Sequence, residues 1–183
     1  RPLSSPADIS ADDFASPDLA MPKSDTGTVS VVTIEQDGEA KKGVQLGGNV
    51  GYASSAAWYG GNVSIGGFDV CAGGKCNFIN GVRVFFILDY TGSGSGFTFT
   101  LASGSENGLD AYGGTGQYLG YAGTSPTGKQ IKKPKMAVEF DTFTSSGRND
   151  PGSGNKDYVQ FVYWGATPDN TADDNTQIGR AHV

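Results

Sequence analysis

The sequence predicts an all-β fold, either two packed antiparallel sheets or a barrel. Short runs rich in β-branched and aromatic residues recur along the chain, with glycine-rich turns at intervals of ~8–12 residues. No long stretch has the apolar period of an amphipathic helix, so a parallel α/β fold is not expected. The chain has 183 residues, 29 of them glycine. That length suits one all-β domain with its own hydrophobic core.

The predicted strands follow one another from Thr28 onward. The first is a run of β-branched residues broad enough to be buried on both faces, and the second precedes a turn at Gly47, Gly48 and Asn49. The segment VRVFFILDY is the strongest single strand, and FTFTL after it alternates cleanly. The predicted strand segments are 28–34, 44–46, 54–59, 82–90, 97–101, 118–121, 136–143 and 158–164.

Composition divides the chain into an arm, a body and a short tail. Residues 1–26 are rich in Ser, Pro, Ala and Asp, which predicts a linker or a loosely docked arm. Residues 27–177 form the predicted domain. The last six residues, 178–183, have the sequence IGRAHV, which is what a common sequencing adapter encodes in one frame. We interpret them as adapter read-through, expect the domain to be truncated at its C-terminus, and assign no chemistry to His182.

Charge and cysteine content restrict the partners and the compartment. The chain has 13 basic and 19 acidic residues, a formal charge of −6, and its one dense basic run is 129–135. Nucleic acid is therefore not an expected partner. No apolar run approaches the ~18 residues of a membrane span, so no membrane insertion is expected of this fragment. Cys71 and Cys76 flank four residues, two of them glycine, which favours a small local disulfide and an oxidising compartment; two free thiols are the alternative.

The segment 136–143 carries the residues with chemical potential. Glu139 and Asp141 are two apart on a predicted strand, so both carboxylates point to one face, while Phe140 and Thr142 point to the other. Two acids on one face repel each other and rarely tolerate burial without a cation. The loop that follows supplies another carboxylate and several oxygen donors, a ligand set that Ca²⁺ prefers. An exposed sheet face followed by a polar loop is the alternative.

Four segments together resemble legume lectins and their bacterial relatives. The motif V-E-F-D-T-F, followed by D-P nine residues after its Asp, resembles the metal-binding signature of that family. Three further stretches are similar to family motifs in the same order; the four segments are 44–59, 94–102, 113–120 and 138–151. The resemblance implies a concanavalin-like jelly-roll sandwich of two antiparallel sheets. It also implies a secreted or cell-surface domain that binds a glycan or polysaccharide, with metals beside the sugar pocket.

The resemblance implies a metal site as well. Glu139 stands at the transition-metal carboxylate, Asp141 and Asp150 stand at the carboxylates that bridge both metals, and Phe143 would offer its carbonyl to calcium. The metal-binding His of the family falls around Asp157 or Tyr158, and neither is histidine. A Ca²⁺ ion is therefore the expectation, and the second, transition metal is doubtful. The implied metal ligands are Glu139, Asp141, Phe143, Ser145 and Asp150.

The implied sugar contacts come from three segments. Ser95 stands where the family has an Asp that accepts hydrogen bonds from sugar hydroxyls, and a hydroxyl accepts less strongly than a carboxylate. Gly114 would supply a backbone N–H. Ser145 lies where the family uses an Asn that binds both calcium and sugar, and Asn149 is near enough to substitute for it.

Two other functions remain as alternatives. Glycoside hydrolases of the laminarinase and lichenase kind share this sandwich, and a retaining pair of carboxyl groups stands ~5–5.5 Å apart. The position on the same strand face after Asp141 is Phe143, so the second catalytic glutamate is absent and an enzyme is not expected. The other alternative is a structural, adhesive domain of a surface or pilin-associated protein without sugar binding, with residues 1–26 as its tether.

Overall fold

The computed structural model describes residues 19–20, 27–48, 51, 53–60, 63–65, 68–77, 86, 88, 90–143, 157–163 and 177–182. Within these residues the chain is strand-rich, and its one helical element is the 3₁₀ turn Gly116–Tyr118. All pairings between the described strands are antiparallel. The predicted all-β class is confirmed. No helix in the described part of the chain has the length and apolar character that crossing a membrane requires.

The strands form four small sheets. β1 pairs with β4, β2 with β3, and β6 lies between β5 and β7, while the largest sheet has the order β11-β10-β9-β8. The strands are β1 Leu19–Ala20, β2 Thr28–Gln36, β3 Glu39–Gly47, β4 Trp58–Tyr59, β5 Val63–Ile65, β6 Phe68–Ala72, β7 Lys75–Cys76, β8 Gly96–Ala102, β9 Lys135–Asp141, β10 Tyr158–Tyr163 and β11 Gln177–His182.

One face of the four-stranded sheet is buried. Alternate residues of β9 and β10 point to it, because side chains in a strand alternate between the two faces. The buried residues of these strands are Lys135, Ala137, Glu139, Asp141, Tyr158, Gln160 and Val162. The core consists of Ala137 and Val162 packed with Tyr121 and Ala122, and Tyr118 packs against it. This face therefore combines a small apolar core with several polar groups.

The opposite face of the sheet is aromatic. The rings of Phe97 and Phe140 stack with their centroids 4.5 Å apart, and Phe86 meets Phe140 edge-on at 5.7 Å. Phe97 on β8 and Phe140 on β9 alternate with the polar residues of those strands, as the sequence pattern predicts. Phe161 and Met136 extend the same face and remain substantially exposed, at 48% and 38%.

A loop at residues 111–123, here called the glycine loop, covers the buried face of the sheet. It is held together by backbone hydrogen bonds from Gly113 N–H to the Gly120 carbonyl (2.6 Å) and from Gly114 N–H to the Ala122 carbonyl (2.8 Å). Lys135 attaches it to β9, since its Nζ donates to the Tyr121 carbonyl at 3.0 Å and lies 4.5 Å from the centroid of that ring. The ammonium and the aromatic face attract each other, which makes burial of this lysine tolerable.

Two hairpins depend on residues with positive φ. Asp37 and Gly38, with φ of 53° and 80°, reverse the chain between β2 and β3, as a two-residue turn of this kind requires. Gly73 and Gly74 play the same part between β6 and β7. In that second hairpin Cys71 and Cys76 lie opposite each other and form a disulfide, with their Cα atoms 4.0 Å apart.

Four predicted strands differ in the structure. Of the segment 54–59, only Trp58–Tyr59 forms a strand, β4. The segment 28–34 lies in β2 but is half-buried or exposed, because β2 has only β3 as a described neighbour. The segment 118–121 forms the end of the 3₁₀ turn instead of a strand, since Leu119 at φ 51° and Gly120 at φ 71° reverse the chain there. Most of 82–90 lies outside the described residues, and those of its residues that are described are not in a strand.

Candidate functional site

Asp141 occupies the end of β9 with both carboxylate oxygens hydrogen-bonded. Its partner across the sheet is Tyr158, whose hydroxyl donates to Oδ2 at 2.9 Å. The backbone N–H of Phe143 donates to Oδ1 at 2.7 Å, a side-chain turn of the kind that Asp makes with the residue two positions on. Asp141 is 4% exposed and Tyr158 is 2% exposed. The carboxylate is therefore fixed where β9 enters the following loop.

Glu139 lies on the same face as Asp141 and is 1% exposed. Its partner across the sheet is Gln160, and the Gln160 amide Nε2 donates to Glu139 Oε2. The amide oxygen of Gln160, Oε1, is buried and has no hydrogen-bond partner among the described residues. The two acids thus face two polar side chains of β10 in register, Glu139 with Gln160 and Asp141 with Tyr158.

The segment before β8 contacts the end of β9. Thr142 donates its backbone N–H to the Ser95 carbonyl at 3.1 Å and its hydroxyl to the Gly94 carbonyl at 2.8 Å. Gly96 pairs with Asp141 at φ 121°, and a Cβ at this position would collide with the Phe140 carbonyl oxygen. Glycine is therefore required for this close approach. Two motifs far apart in sequence, G-S-G and E-F-D-T-F, meet here.

The structure brings together some of the predicted site residues. Ser95, Glu139, Asp141 and Phe143 lie at or near the same end of β9, and Phe143 is 51% exposed. Gly114 lies in the glycine loop, where its N–H donates to the Ala122 carbonyl. The remaining predicted site residues lie outside the described part of the chain: Ser145, Asn149 and Asp150.

The sequence predicts no role for Gln160, and Tyr158 matters there only because it stands near the position of the family's metal-binding histidine. Both are polar groups on the buried face of β10. The signal that would have found them is the period of two in Y-V-Q-F-V-Y, where Tyr158 and Gln160 share a face with Val162. What the sequence does not give is the register that places them opposite the two acids.

A hard cation fits the chemistry of this end of β9. Each carboxylate oxygen can accept more than one interaction, so a hydrogen bond leaves capacity for a metal ion. Carboxylate oxygens and a backbone carbonyl, here that of Phe143, are the ligands that Ca²⁺ prefers. Within the described residues, no three His, Cys, Asp or Glu side chains are placed so that they could hold a metal ion together. The third predicted carboxylate, Asp150, is not among them.

A second polar feature lies away from β9. The Lys129 ammonium donates to Asp110 Oδ2 at the edge of a shallow cleft of about 280 Å³. The cleft is lined by Glu106, Asn107, Gly108, Asp110, Ala111, Gly128, Lys129, Gln130 and Lys132. The hydrogen bond from Lys129, followed by its charge, lowers the pKa of the Asp110 carboxyl, and the same bond raises the pKa of Lys129. Both side chains are well exposed, so this ion pair contributes little to stability.

No protein-family model, no curated protein and no solved structure matches this chain in the three comparisons made. The end of β9, with its two buried acids and the adjoining Ser95, is the cluster from which a function can be argued.

Proposed function

We propose that this chain is an extracellular carbohydrate-binding domain of the L-type lectin kind, in which a Ca²⁺ ion at the end of β9 organises the sugar-binding loops. The proposal rests on one observation, that the buried carboxylate of Asp141 belongs to a residue next to Ser95. The two are held together because the backbone N–H of Thr142, the residue after Asp141, donates to the Ser95 carbonyl. The residue predicted to hold calcium and the residue predicted to contact sugar thus belong to one locality, although 46 positions separate them in sequence.

The finer architecture belongs to the same proposal. We assign strands β8, β9 and β10 to one layer of a concanavalin-like jelly-roll sandwich, and leave out β11 because it falls in the predicted read-through tail. Its aromatic face, with Phe97, Phe99 and Phe140, has the character of a surface that a second sheet covers. The disulfide between Cys71 and Cys76 supports a secreted or cell-surface location, because disulfides persist in oxidising compartments.

In the proposed site each residue has a distinct task. The Asp141 carboxylate and the Phe143 carbonyl would hold Ca²⁺ together with Ser145 and Asp150, and the ion would supply positive charge that offsets the repulsion between the carboxylates. Ser95 and Asn149 contact sugar hydroxyls. For Gly114 the structure adds a condition: its N–H already donates to the Ala122 carbonyl, so a sugar oxygen has to share that donor.

Thermal unfolding with Ca²⁺ or with EDTA tests the calcium part. A ligand at a hundred times its dissociation constant stabilises the folded state by about 2.7 kcal/mol. For a domain of this size that raises the melting temperature by about 5–10 °C. The rise should disappear in Asp141→Asn, which keeps the side-chain shape. It should persist in Asp37→Asn, a matched change in the exposed β2–β3 turn. Equal wild-type midpoints in the two conditions would end the calcium proposal.

A glycan array, read with Ca²⁺ and then with EDTA, tests the sugar part. Binding that depends on calcium and is lost in Ser95→Ala supports the lectin assignment. The alternative, an adhesive surface domain without sugar binding, is favoured by the hydroxyl of Ser95 in place of a carboxylate. It predicts a calcium-dependent melting shift with no glycan bound. Release of reducing sugar from a β-glucan would instead favour a hydrolase.

A further inference from the structure

We infer that this chain binds a hard cation at the end of β9 and excludes a transition metal beside it. The reason is that Tyr158 and Gln160 already hydrogen-bond the two buried acids that a transition metal would need as ligands. This inference rests on the proposed function. It is carried by the two contacts across β9 and β10, from the Tyr158 hydroxyl to Asp141 and from the Gln160 amide to Glu139.

The first step concerns Asp141. A transition metal held by Glu139 and Asp141 needs a further ligand from the neighbouring strand, and an imidazole nitrogen suits it best. Across the sheet from Asp141 stands Tyr158, which supplies a hydroxyl hydrogen to Oδ2 at 2.9 Å. Its side chain is buried, at 2% exposure. The position that would offer a nitrogen ligand therefore offers a proton donor.

The second step concerns Glu139. The Gln160 amide, 1% exposed, directs Nε2 at Glu139 Oε2 and so occupies acceptor capacity of that carboxylate which a metal ion would use. Turning the amide over would present Oε1, the atom that has no hydrogen-bond partner among the described residues, to an incoming ion. Glu139 would then lose the Nε2 donor. An amide oxygen also suits Ca²⁺ or Mg²⁺ better than a transition metal.

The third step concerns the rest of this face. One pair further along the two strands, the residues are Ala137 and Val162, both buried and apolar. They offer no nitrogen or sulfur ligand. On the β8 side Glu139 pairs with Thr98, whose hydroxyl is hydrogen-bonded to that of Thr100 at 3.0 Å. These neighbours of Glu139 supply hydroxyl, amide and methyl groups, which favour hydrogen bonding over transition-metal binding.

Titration with Co²⁺, followed by isothermal titration calorimetry, tests the inference on the full chain in saturating CaCl₂. We expect the wild type to show no Co²⁺ binding. The double variant Tyr158→His/Gln160→Gly supplies an imidazole and removes the amide, and should bind one Co²⁺ per chain. Its affinity should exceed that of the wild type by at least about tenfold, or ~1.4 kcal/mol.

Phe161→His is the matched control, since it adds an imidazole to the other face of the same strand. It should behave as the wild type does. Circular dichroism verifies that each variant folds, and Tyr158→His alone carries the comparison if the double variant does not. Wild-type Co²⁺ binding in the presence of Ca²⁺ overturns the inference, and so does a folded variant that gains no Co²⁺ affinity. The melting shift with Ca²⁺ tests the proposed function separately, whatever the result with Co²⁺.

Discussion

Tyr158→Phe isolates the hydrogen bond that secures Asp141. The change removes one hydroxyl and keeps the ring, so the packing of the core is nearly conserved. The lost bond is 2.9 Å long and ends on a carboxylate, and a hydrogen bond to a charged group contributes about 1.5–3 kcal/mol. Because both residues are almost fully buried, water does not easily replace the lost donor. We expect a loss of about 1.5–3 kcal/mol, or about 3–12 °C in melting temperature.

Urea unfolding, monitored by intrinsic fluorescence, measures this loss, and Tyr90→Phe is its control. Tyr90 is exposed, and its two partners are neutral: its hydroxyl donates to the Gly94 carbonyl at 2.8 Å and accepts from the Thr142 hydroxyl at 3.1 Å. The control should lose no more than about 1 kcal/mol, because water can replace an exposed partner. A loss below about 0.5 kcal/mol for Tyr158→Phe, or equal losses in the two variants, would refute the view that Asp141 is held as a buried, hydrogen-bonded carboxylate.

Two further changes test the surroundings of the site. Gly96→Ala should lose about 2 kcal/mol more in urea unfolding than Gly47→Ala, because both glycines have positive φ but only at Gly96 would a Cβ meet a backbone oxygen. Equal losses of unfolding free energy in the two variants would show that the close approach of β8 to β9 does not contribute to stability. Lys135→Met should accelerate hydrogen exchange of the Gly114 amide by about tenfold, since the glycine loop loses the ammonium bond to the Tyr121 carbonyl and keeps only the longer bond from the Tyr121 hydroxyl to the backbone of residue 135. Unchanged exchange would mean that the loop does not depend on this lysine.

The sequence pattern predicted the strand that matters most, and physical chemistry explains why. In β9 the alternation of Glu139 and Asp141 with Val138 and Phe140 reflects a period of two that any strand imposes, so the shared face of the acids is readable without a structure. Their hydrogen-bond partners depend instead on the pairing of β9 with β10. A shift of one residue would turn Gln160 away, and nothing local fixes that register.

The glycine loop shows a second limit of sequence reasoning. The segment Tyr118 to Tyr121 has the aromatic composition of a strand, yet Gly116 and Gly120 at positive φ allow it to coil into a 3₁₀ turn. The tyrosines then pack inward, and Tyr112 and Tyr121 become buried, so they are not available as a platform for a sugar ring. Local composition favoured one structure, and packing of the loop on the sheet selected another.

Trp58 gives this molecule an internal optical probe. Its indole N–H donates to the Ala111 carbonyl at 2.6 Å, so the chromophore is attached to the first residue of the glycine loop. Indole emission responds to the polarity around the ring, and a loop that lifts from the sheet would expose it to solvent. With the second tryptophan, Trp164, replaced by phenylalanine, events at residues 111–123 can be followed by the wavelength of the emitted light, without a dye and without altering the loop itself.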